Sequence, residues 1–418
     1  MDNIWIIDHY ASEPQYGAYA RQYNFAVGLS KIGYNVTVFT SSYSHFTHRF
    51  YDYKKEFTNE INQNARFVYI KTLGYNSNSS PNRIIGMIQI KNYIICNATR
   101  FAKEYGIPKY VVGSSPHPFV WQAAERVSKK YNAKFLAEVR DFWPLELRSG
   151  DENVLLDVFY SYLERIERKA FKTADRIICT VPYGDLYVCD EKNIDREKYI
   201  CIGQPLDCVQ FDISANANMD NIPEEILTFS KEKFLCIFTG YYMTYEGVYQ
   251  MLEAANELRD LYPDIGFLFC GSGMEEEGMK RFAEEHGLTN VLVYGRVNKE
   301  LIPSLLRMSD VCLAYLVDDS GKEMFKYGLS KNKLNEYMYS GRPIIMGYDY
   351  PNNEINDAEC GYTFYTKENS FARYIKEIYE MPVEDRIHFG INGMEFMKKK
   401  HDLSILTNEY ANMLKCLM

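Results

Sequence analysis

Two successive runs of alternating strand-like and helix-like stretches constrain this chain more than any single motif. Short apolar runs rich in β-branched and aromatic residues stand at residues 4–7, 35–40, 66–72, 109–113, 134–139, 176–181 and 199–203, with helical stretches between most of them. A strand, a helix and a second strand form a parallel unit, because a parallel connection needs a crossover of a dozen or more residues. The alternation stops at residues 208–222, a polar stretch that includes Asn216 to Asn221 and is followed by Pro223; it reads as an interdomain linker. It then resumes with strands at 234–239, 265–270, 291–294, 311–316 and 343–346, each pair separated by a helical stretch. Two more helical runs, 371–380 and 384–417 with a break near His401, end the chain. At 418 residues the chain exceeds one ordinary core. The expected fold is α/β: two doubly wound Rossmann-like domains, residues 1–207 and 223–400, facing each other across a cleft and hinged at the linker. Ligands belong at the carboxyl ends of the strands.

Composition narrows the function classes. The formal net charge is −9, and it is uneven: residues 1–200 hold 26 Lys+Arg against 22 Asp+Glu, leaving 21 against 34, so the two parts carry +4 and −13. That balance speaks against a nucleic-acid partner and leaves room for an anionic surface near the first half. The ten cysteines show no Cys-x-x-Cys spacing and no cluster with histidine, so neither structural zinc nor a disulfide framework is expected. No apolar run approaches the roughly 20 residues of a membrane span, and the N-terminus is strand-like without a basic flank, so the expected location is cytoplasmic, soluble or peripheral. The stretch 83–105 carries Ile84, Ile85, Met87, Ile88 and Ile95 beside Arg83, Lys91, Arg100 and Lys103. It suits either an anionic membrane surface or an ordinary core-facing helix.

The most informative local pattern runs from Tyr327 to Pro343. Ser330 reads as a helix N-cap, Leu334, Met338 and Gly341 recur with helical period, and Gly341-Arg342-Pro343 ends the run. Lys331 and Lys333 occupy the first turn, the end where unpaired N–H groups and the helix dipole favour an anion. Lys333, Glu336, Tyr337 and Ser340 share one face. A diphosphate on Lys333 and ribose hydroxyls on Glu336 would fit this face; a solvated helix with Lys–Glu pairing is the competing reading. Among the glycines, Gly17 permits close backbone approach to a phosphate or sugar. Gly271-Ser-Gly273 lacks the third glycine of a dinucleotide fingerprint, which leaves a nucleotide contact or a plain turn rather than NAD. His117, between two prolines after a strand, is expected to face the cleft or to be an exposed turn residue. Arg140 and Asp141 follow the strand at 134–139 and are expected on the cleft rim, unless they pair with each other. No two aspartates stand two apart, so no Asp-x-Asp metal site is expected, and a leaving diphosphate falls to cations and helix N-termini.

Taken in order, these segments resemble the retaining GT-B glycosyltransferases of family 4, in the branch that builds bacterial O-antigen and capsule and includes fucosamine-transferase-like members. The resemblance rests on His9-Tyr10-Ala with Tyr16-Gly17 and Arg21, on residues 29–38, on Ser115-Pro-His-Pro-Phe119, on Val139-Arg-Asp-Phe-Trp-Pro144, on Thr239-Gly240 with Glu246-Gly247, on Gly271-Ser-Gly273, and on Ser330 to Pro343. It implies a nucleotide-sugar donor, UDP-linked in the first instance, and a glycan or polyprenyl-diphosphate-linked acceptor. It also implies retention of configuration, no cofactor and no metal, and a final helix, 401–418, packed back on the first domain. It assigns catalysis to His117, Asp141 and Arg140, and donor binding to Gly17, Arg21, Gly240, Tyr241, Gly271, Gly273, Gly328, Leu329, Ser330, Lys333 and Glu336. Two departures stand out. The family's paired glutamates fall on Gly328 and Glu336, so the first carboxylate is missing and N–H groups of residues 328–330 are its expected substitute. The family's diphosphate-gripping Arg and Lys fall near Tyr241 and on Glu246. These losses keep two other classes in view: a nucleotide-sugar epimerase or hydrolase on the same fold, and a non-catalytic scaffold.

Overall fold

The computed structural model describes residues 1–17, 20–77, 79–147, 154–317 and 324–417. Two compact units divide the chain, one formed by Met1–Pro205 with Leu403–Met418 and the other by Leu206–Asp402. In chain order the first unit contains β1 (Asp2–Asp8), α1 (Arg21–Lys31), β2 (Tyr34–Ser41), β3 (Glu56–Asn62), β4 (Ala65–Ile70), α2 (Pro81–Tyr105), β5 (Tyr110–Ser114), α3 (Phe119–Tyr131), β6 (Lys134–Val139), α4 (Val154–Thr173), β7 (Arg176–Cys179) and β8 (Tyr199–Cys201). The second follows with α5 (Cys208–Ala217), α6 (Glu224–Ser230), β9 (Phe234–Tyr241), α7 (Val248–Leu258), β10 (Ile265–Ser272), α8 (Glu276–Glu285), β11 (Val291–Gly295), α9 (Ile302–Met308), β12 (Val311–Leu316), α10 (Asn332–Ser340), β13 (Ile344–Tyr348), α11 (Glu354–Asp357), β14 (Gly361–Phe364), α12 (Phe371–Glu380) and α13 (Val383–Lys400). Last comes α14 (Leu403–Lys415), in the first unit.

The first sheet runs β3-β4-β2-β1-β5-β6-β7-β8 and is parallel except for β3, which pairs antiparallel with β4. The second runs β11-β10-β9-β12-β13-β14 and is parallel throughout. Helices cover both faces, which is why central strands such as Ile4–Ile7 and 235–238 are apolar without alternation and buried. In each sheet the order reverses at one place, between β1 and β5 and between β9 and β12. There the loops leave in opposite directions and open a crevice at the carboxyl edge.

Several expectations need correcting. The stretch 208–222 is not a structureless linker. Asp207 caps α5 by accepting from the Gln210 N–H at 2.9 Å, and Cys208, Phe211 and Ala215 enter the core of the second unit. Ser304 Oγ donates to the Ala215 carbonyl at 3.0 Å, so this helix is fixed within its unit. The polar run that suggested a linker only begins at its C-terminal end. β3 is also additional: its polar, half-exposed residues at a sheet edge leave no apolar run to read. Helix α10 starts at Asn332 with Lys331 in the cap position, not at Ser330, and no side chain caps it. Helix α2 takes the core-facing arrangement, with Met87, Ile90, Ile94 and Phe101 fully buried. Its Arg100 pairs with Glu56 at 2.6 Å and its Lys91 lies over the Phe119 ring. Helix α14 lies along α1, and the Tyr110 hydroxyl donates to the Leu414 carbonyl at 3.0 Å. No helix among the described residues is long and apolar enough to cross a membrane.

Candidate functional site

In the second unit the crevice between β9 and β12 is closed on one side by α10. The Thr239 N–H at the end of β9 donates to the Tyr337 hydroxyl at 2.7 Å, which fixes α10 against the strand end. Tyr337 is fully buried, and Gly341, at φ +80°, ends the helix in the left-handed conformation. On the face so positioned, the Lys333 ammonium lies 4.7 Å from the centre of the Phe238 ring and forms an ion pair with Glu246. A Cβ on Gly240 would stand 3.7 Å from that ammonium, and Gly240 has φ +143°. Glu246 is held by the single turn Thr244–Glu246, which ends in Gly247 at φ +70°; a Cβ there would run into the Tyr315 ring at 2.3 Å. Burial pushes the Lys333 pKa below the ordinary lysine value, against the pull of Glu246.

One turn deeper, Glu336 makes no hydrogen bond or ion pair among the described residues. Burial raises its pKa, with Lys299 the opposing attraction. The N–H groups of Leu329 and Ser330 have no acceptor among the described residues, whereas that of Gly328 donates to the Phe325 carbonyl at 2.9 Å. Of the three N–H groups expected to replace the lost carboxylate, two are therefore available. Tyr241 is 62% exposed at the strand end. Gly271 and Gly273 have a packing cause: a Cβ on either would stand 1.9 Å from the Gly240 carbonyl oxygen or 2.2 Å from that of Tyr242. The arrangement unites a cation, free N–H donors and an unpartnered carboxylate along one helix. Such a set can hold an anion and, one turn away, a pair of hydroxyls.

In the first unit, the crevice between β1 and β5 receives Asp8, His9 and Tyr10 from one strand end and Ser114 to His117 from the other. His117 is not at an exposed edge: it is fully buried, and its Nε2 lies 2.9 Å from His9 Nδ1, while its own Nδ1 has no partner among the described residues. Burial, with Arg83 and His45 nearby, lowers the His9 pKa to about 3, and His117 is also held well below its ordinary value, so both rings are neutral. Arg140 pairs with Asp8 at 2.7 Å rather than with Asp141; Ser115 Oγ accepts from the Arg140 N–H at 2.8 Å and from that of Asp141 at 3.4 Å. Gly17 has φ +67° and nothing within 4 Å of an added Cβ, so its surroundings are open.

Arg21 does not stand where a donor could use it. The residue is 2% exposed, and its guanidinium pairs with Glu138 at 3.3 Å, donates to the carbonyls of Ile202 and Gly203, and lies over Phe25. Burial alone would raise the Glu138 pKa, but Arg21, Ser114 and Arg140 outweigh it and hold the carboxyl below its ordinary value. Asp8 and Glu138 are polar residues that sequence reasoning passed over, and His9, part of the opening motif, was given no role in the site. Each is at or just past the carboxyl end of a strand, and that position was the available signal.

Residues 220–396 match the family model of the glycosyl transferases group 1, so the second unit carries a glycosyl transferase group 1 domain. Over 144 residues the chain is 24% identical to the putative colanic acid biosynthesis glycosyl transferase WcaI of Escherichia coli (strain K12), covering 34% of each chain. It spans little more than a third of the length of the curated relatives it matches. Among solved structures, sucrose-phosphate synthase from Thermosynechococcus elongatus superposes with a TM-score of 0.72 at 15% identity, covering 100% of this chain and 99% of that one. The fold is GT-B. Anabaena HepE, solved in complex with UDP, matches with a TM-score of 0.65 at 10% identity, covering 100% of both chains.

Proposed function

We propose that this protein is a glycosyltransferase that moves a sugar from a nucleoside-diphosphate donor, UDP-linked in the first instance, to a glycan or polyprenyl-diphosphate-linked acceptor in cell-surface polysaccharide assembly. The observation that carries this reading is the mouth of α10, where Lys333 and the free N–H groups of Leu329 and Ser330 form an anion seat one turn from the unpartnered Glu336. A nucleoside diphosphate likewise combines an anionic diphosphate with the hydroxyls of a ribose. The group 1 match over residues 220–396 and the UDP held by HepE support the reading.

Transfer breaks the bond between the anomeric carbon and the diphosphate oxygen and forms one from that carbon to an acceptor hydroxyl oxygen, whose proton passes to the departing diphosphate or to water; negative charge develops on the leaving oxygen. Lys333 and the N–H groups stabilise it, since preorganised donors aimed at developing charge lower the barrier. The reaction proposed is retaining and independent of a metal, at the cytoplasmic face of the membrane, with His117, Asp141 and Arg140 on the sugar side. Incubation with UDP-, GDP- and dTDP-sugars tests it. Slow release of the nucleoside diphosphate, unaffected by EDTA, is the expected result; interconversion of the sugars would make the chain an epimerase, and no nucleotide binding a scaffold.

A further inference from the structure

Helix α4 carries apolar side chains on the side that points away from the protein. Its inner face is set by Leu163, Ile166, Ala170 and Phe171, all buried, with the Phe171 ring centre 5.6 Å from that of Trp121 on α3. By helical period Val154, Val158 and Tyr162 stand on the outer side, at 77%, 65% and 45% exposure. Over the rest of the helix the same row is cationic, with Arg165, Lys169 and Lys172, all exposed. Leu163 and Ile166 share an apolar cluster with Tyr10 and Trp143, which follow β1 and β6. The apolar half of α4 is therefore on the carboxyl side of the first sheet.

Burial within this unit does not account for the outer row. Helix α2, whose sequence also combines isoleucines with cations, turns Met87, Ile90 and Ile94 fully inward. On α4 the inward positions are already filled by other residues. Valine is also a weak choice for an exposed helix position, because its χ1 freedom is restricted there.

We propose that the outer row of α4 is a docking surface for an anionic lipid bilayer. The order along the row is the order of a leaflet: aliphatic side chains first, then a tyrosine, then cations, as hydrocarbon, interface and phosphates follow one another. Val154 and Tyr162 are about 12 Å apart along the axis, at about 1.5 Å per residue, so a tilted helix covers the depth of about 5–10 Å that surface helices reach. The phosphate end has cations to offer. Glu125 on α3 pairs with both Lys129 at 2.7 Å and Lys169 at 2.9 Å, so one carboxylate answers two ammoniums. Arg165, Arg168 and Lys172 are exposed and in no ion pair among the described residues. A second copy of the chain fits this row badly, since two-fold pairing sets its cations against cations or against the valines. That the leaflet carries the sugar acceptor rests on the transferase reading; the docking does not.

Flotation of the full chain with vesicles of phosphatidylglycerol in phosphatidylcholine, against phosphatidylcholine alone, tests this. Binding to the anionic vesicles that weakens as salt rises is expected. Val158→Glu should weaken it about tenfold or more, since a buried side chain is lost and an anion meets the phosphates. Arg165→Gln with Lys172→Gln should weaken it roughly twenty- to thirtyfold, at about fivefold per cation. Val209→Glu, at a valine of α5 that is 68% exposed, should leave it unchanged. All four positions are on the surface, so unchanged melting curves show that the variants have folded. In Tyr162→Trp the added emission should shift to the blue on anionic vesicles. No binding to them, equal binding to phosphatidylcholine alone, binding that the α4 variants leave intact, or an emission that the vesicles do not move would overturn the proposal. So would a dimer in sedimentation velocity that Val158→Glu breaks up, which assigns the row to a second copy. UDP titration of the same samples keeps the two readings apart. Vesicle binding without UDP binding refutes the transferase reading alone, and UDP binding without vesicle binding through α4 refutes the docking surface alone.

Discussion

Replacing Glu246 by Gln should tighten the binding of UDP. In the unliganded chain the Lys333 ammonium is already paired with Glu246, so a diphosphate must share the lysine with a carboxylate. Two oxygens on one tetrahedral ammonium stand about 4–5 Å apart, which puts the charge centres at about 5–6 Å. With an effective dielectric constant near 20, suited to groups that are 14% and 9% exposed, that repulsion is about 3 kcal/mol per unit charge. Part of the gain is lost because Glu246 also holds Lys333 in place, and fixing a lysine side chain costs about 1–2 kcal/mol. The net expectation is about 1–2 kcal/mol, a five- to thirtyfold tighter UDP complex. Uridine, which lacks phosphates, should be unaffected. Lys333→Ala should weaken UDP by about 1.5–3 kcal/mol, the range for a charge-assisted hydrogen bond, and again spare uridine. Calorimetric titration of wild type and both variants with UDP and uridine measures all of this. If Glu246→Gln weakens UDP as Lys333→Ala does, Glu246 supports the phosphate seat instead of competing for it, and the electrostatic reasoning fails. If Lys333→Ala binds UDP as wild type does, the α10 seat is not the diphosphate site.

Glu336→Gln should weaken uridine and UDP by the same factor, because a ribose contact is common to both; a loss confined to UDP would move Glu336 to the phosphates. Arg21→Met should leave UDP affinity intact yet lower stability by about 3–5 kcal/mol in urea unfolding, since it strands a buried Glu138 charge. A selective loss of UDP binding without destabilisation would return Arg21 to the donor site. His9 makes stability depend on pH: its pKa is depressed to about 3 when folded, against 6.5 unfolded, so between those values the unfolded chain binds the extra proton and stability falls as pH falls. From pH 7 to pH 5 the wild type should lose about 2 kcal/mol more than His9→Gln in paired urea titrations, and equal losses would refute the buried neutral imidazole.

The α/β class was legible because parallel strands buried on both faces leave unbroken apolar runs, and both sheets follow from that signal. The missed elements fail it for physical reasons. Residues 56–62 lie half exposed at a sheet edge and have no reason to be apolar. In α5 only Cys208, Phe211 and Ala215 are buried while the apolar Val209 and Ile213 are exposed, so the short helix shows no one-sided apolar period and the polar residues after it dominate the reading. The α10 pattern was legible for the opposite reason: every group in it is local, and a spacing of three or four residues determines which side chains share a face.

Local spacing identifies a shared face but not whether a charge on it is already engaged, and that difference separates Lys333 from Arg21. Both read as phosphate cations near the start of a helix. Lys333 meets its carboxylate from 87 positions away and Arg21 meets its own from 117, distances over which no sequence period reports. The outcomes still differ. Arg21 has its guanidinium enclosed by one carboxylate, two backbone carbonyls and a ring, and a ligand would have to displace all of them in a site that water does not reach. Lys333 has one carboxylate and the face of Phe238, stays partly exposed, and adjoins N–H groups with no acceptor among the described residues. An incoming anion gains those donors as well as a share of the lysine, and so can compete with Glu246. Arg21 on α1 and Lys333 on α10 thus both follow a strand at a switch point, yet of these two only Lys333 keeps capacity for a ligand's charge. In the first crevice Asp8 and Glu138 are paired with Arg140 and Arg21 and the buried imidazoles of His9 and His117 are neutral, so an incoming anion gains less there than at the start of α10.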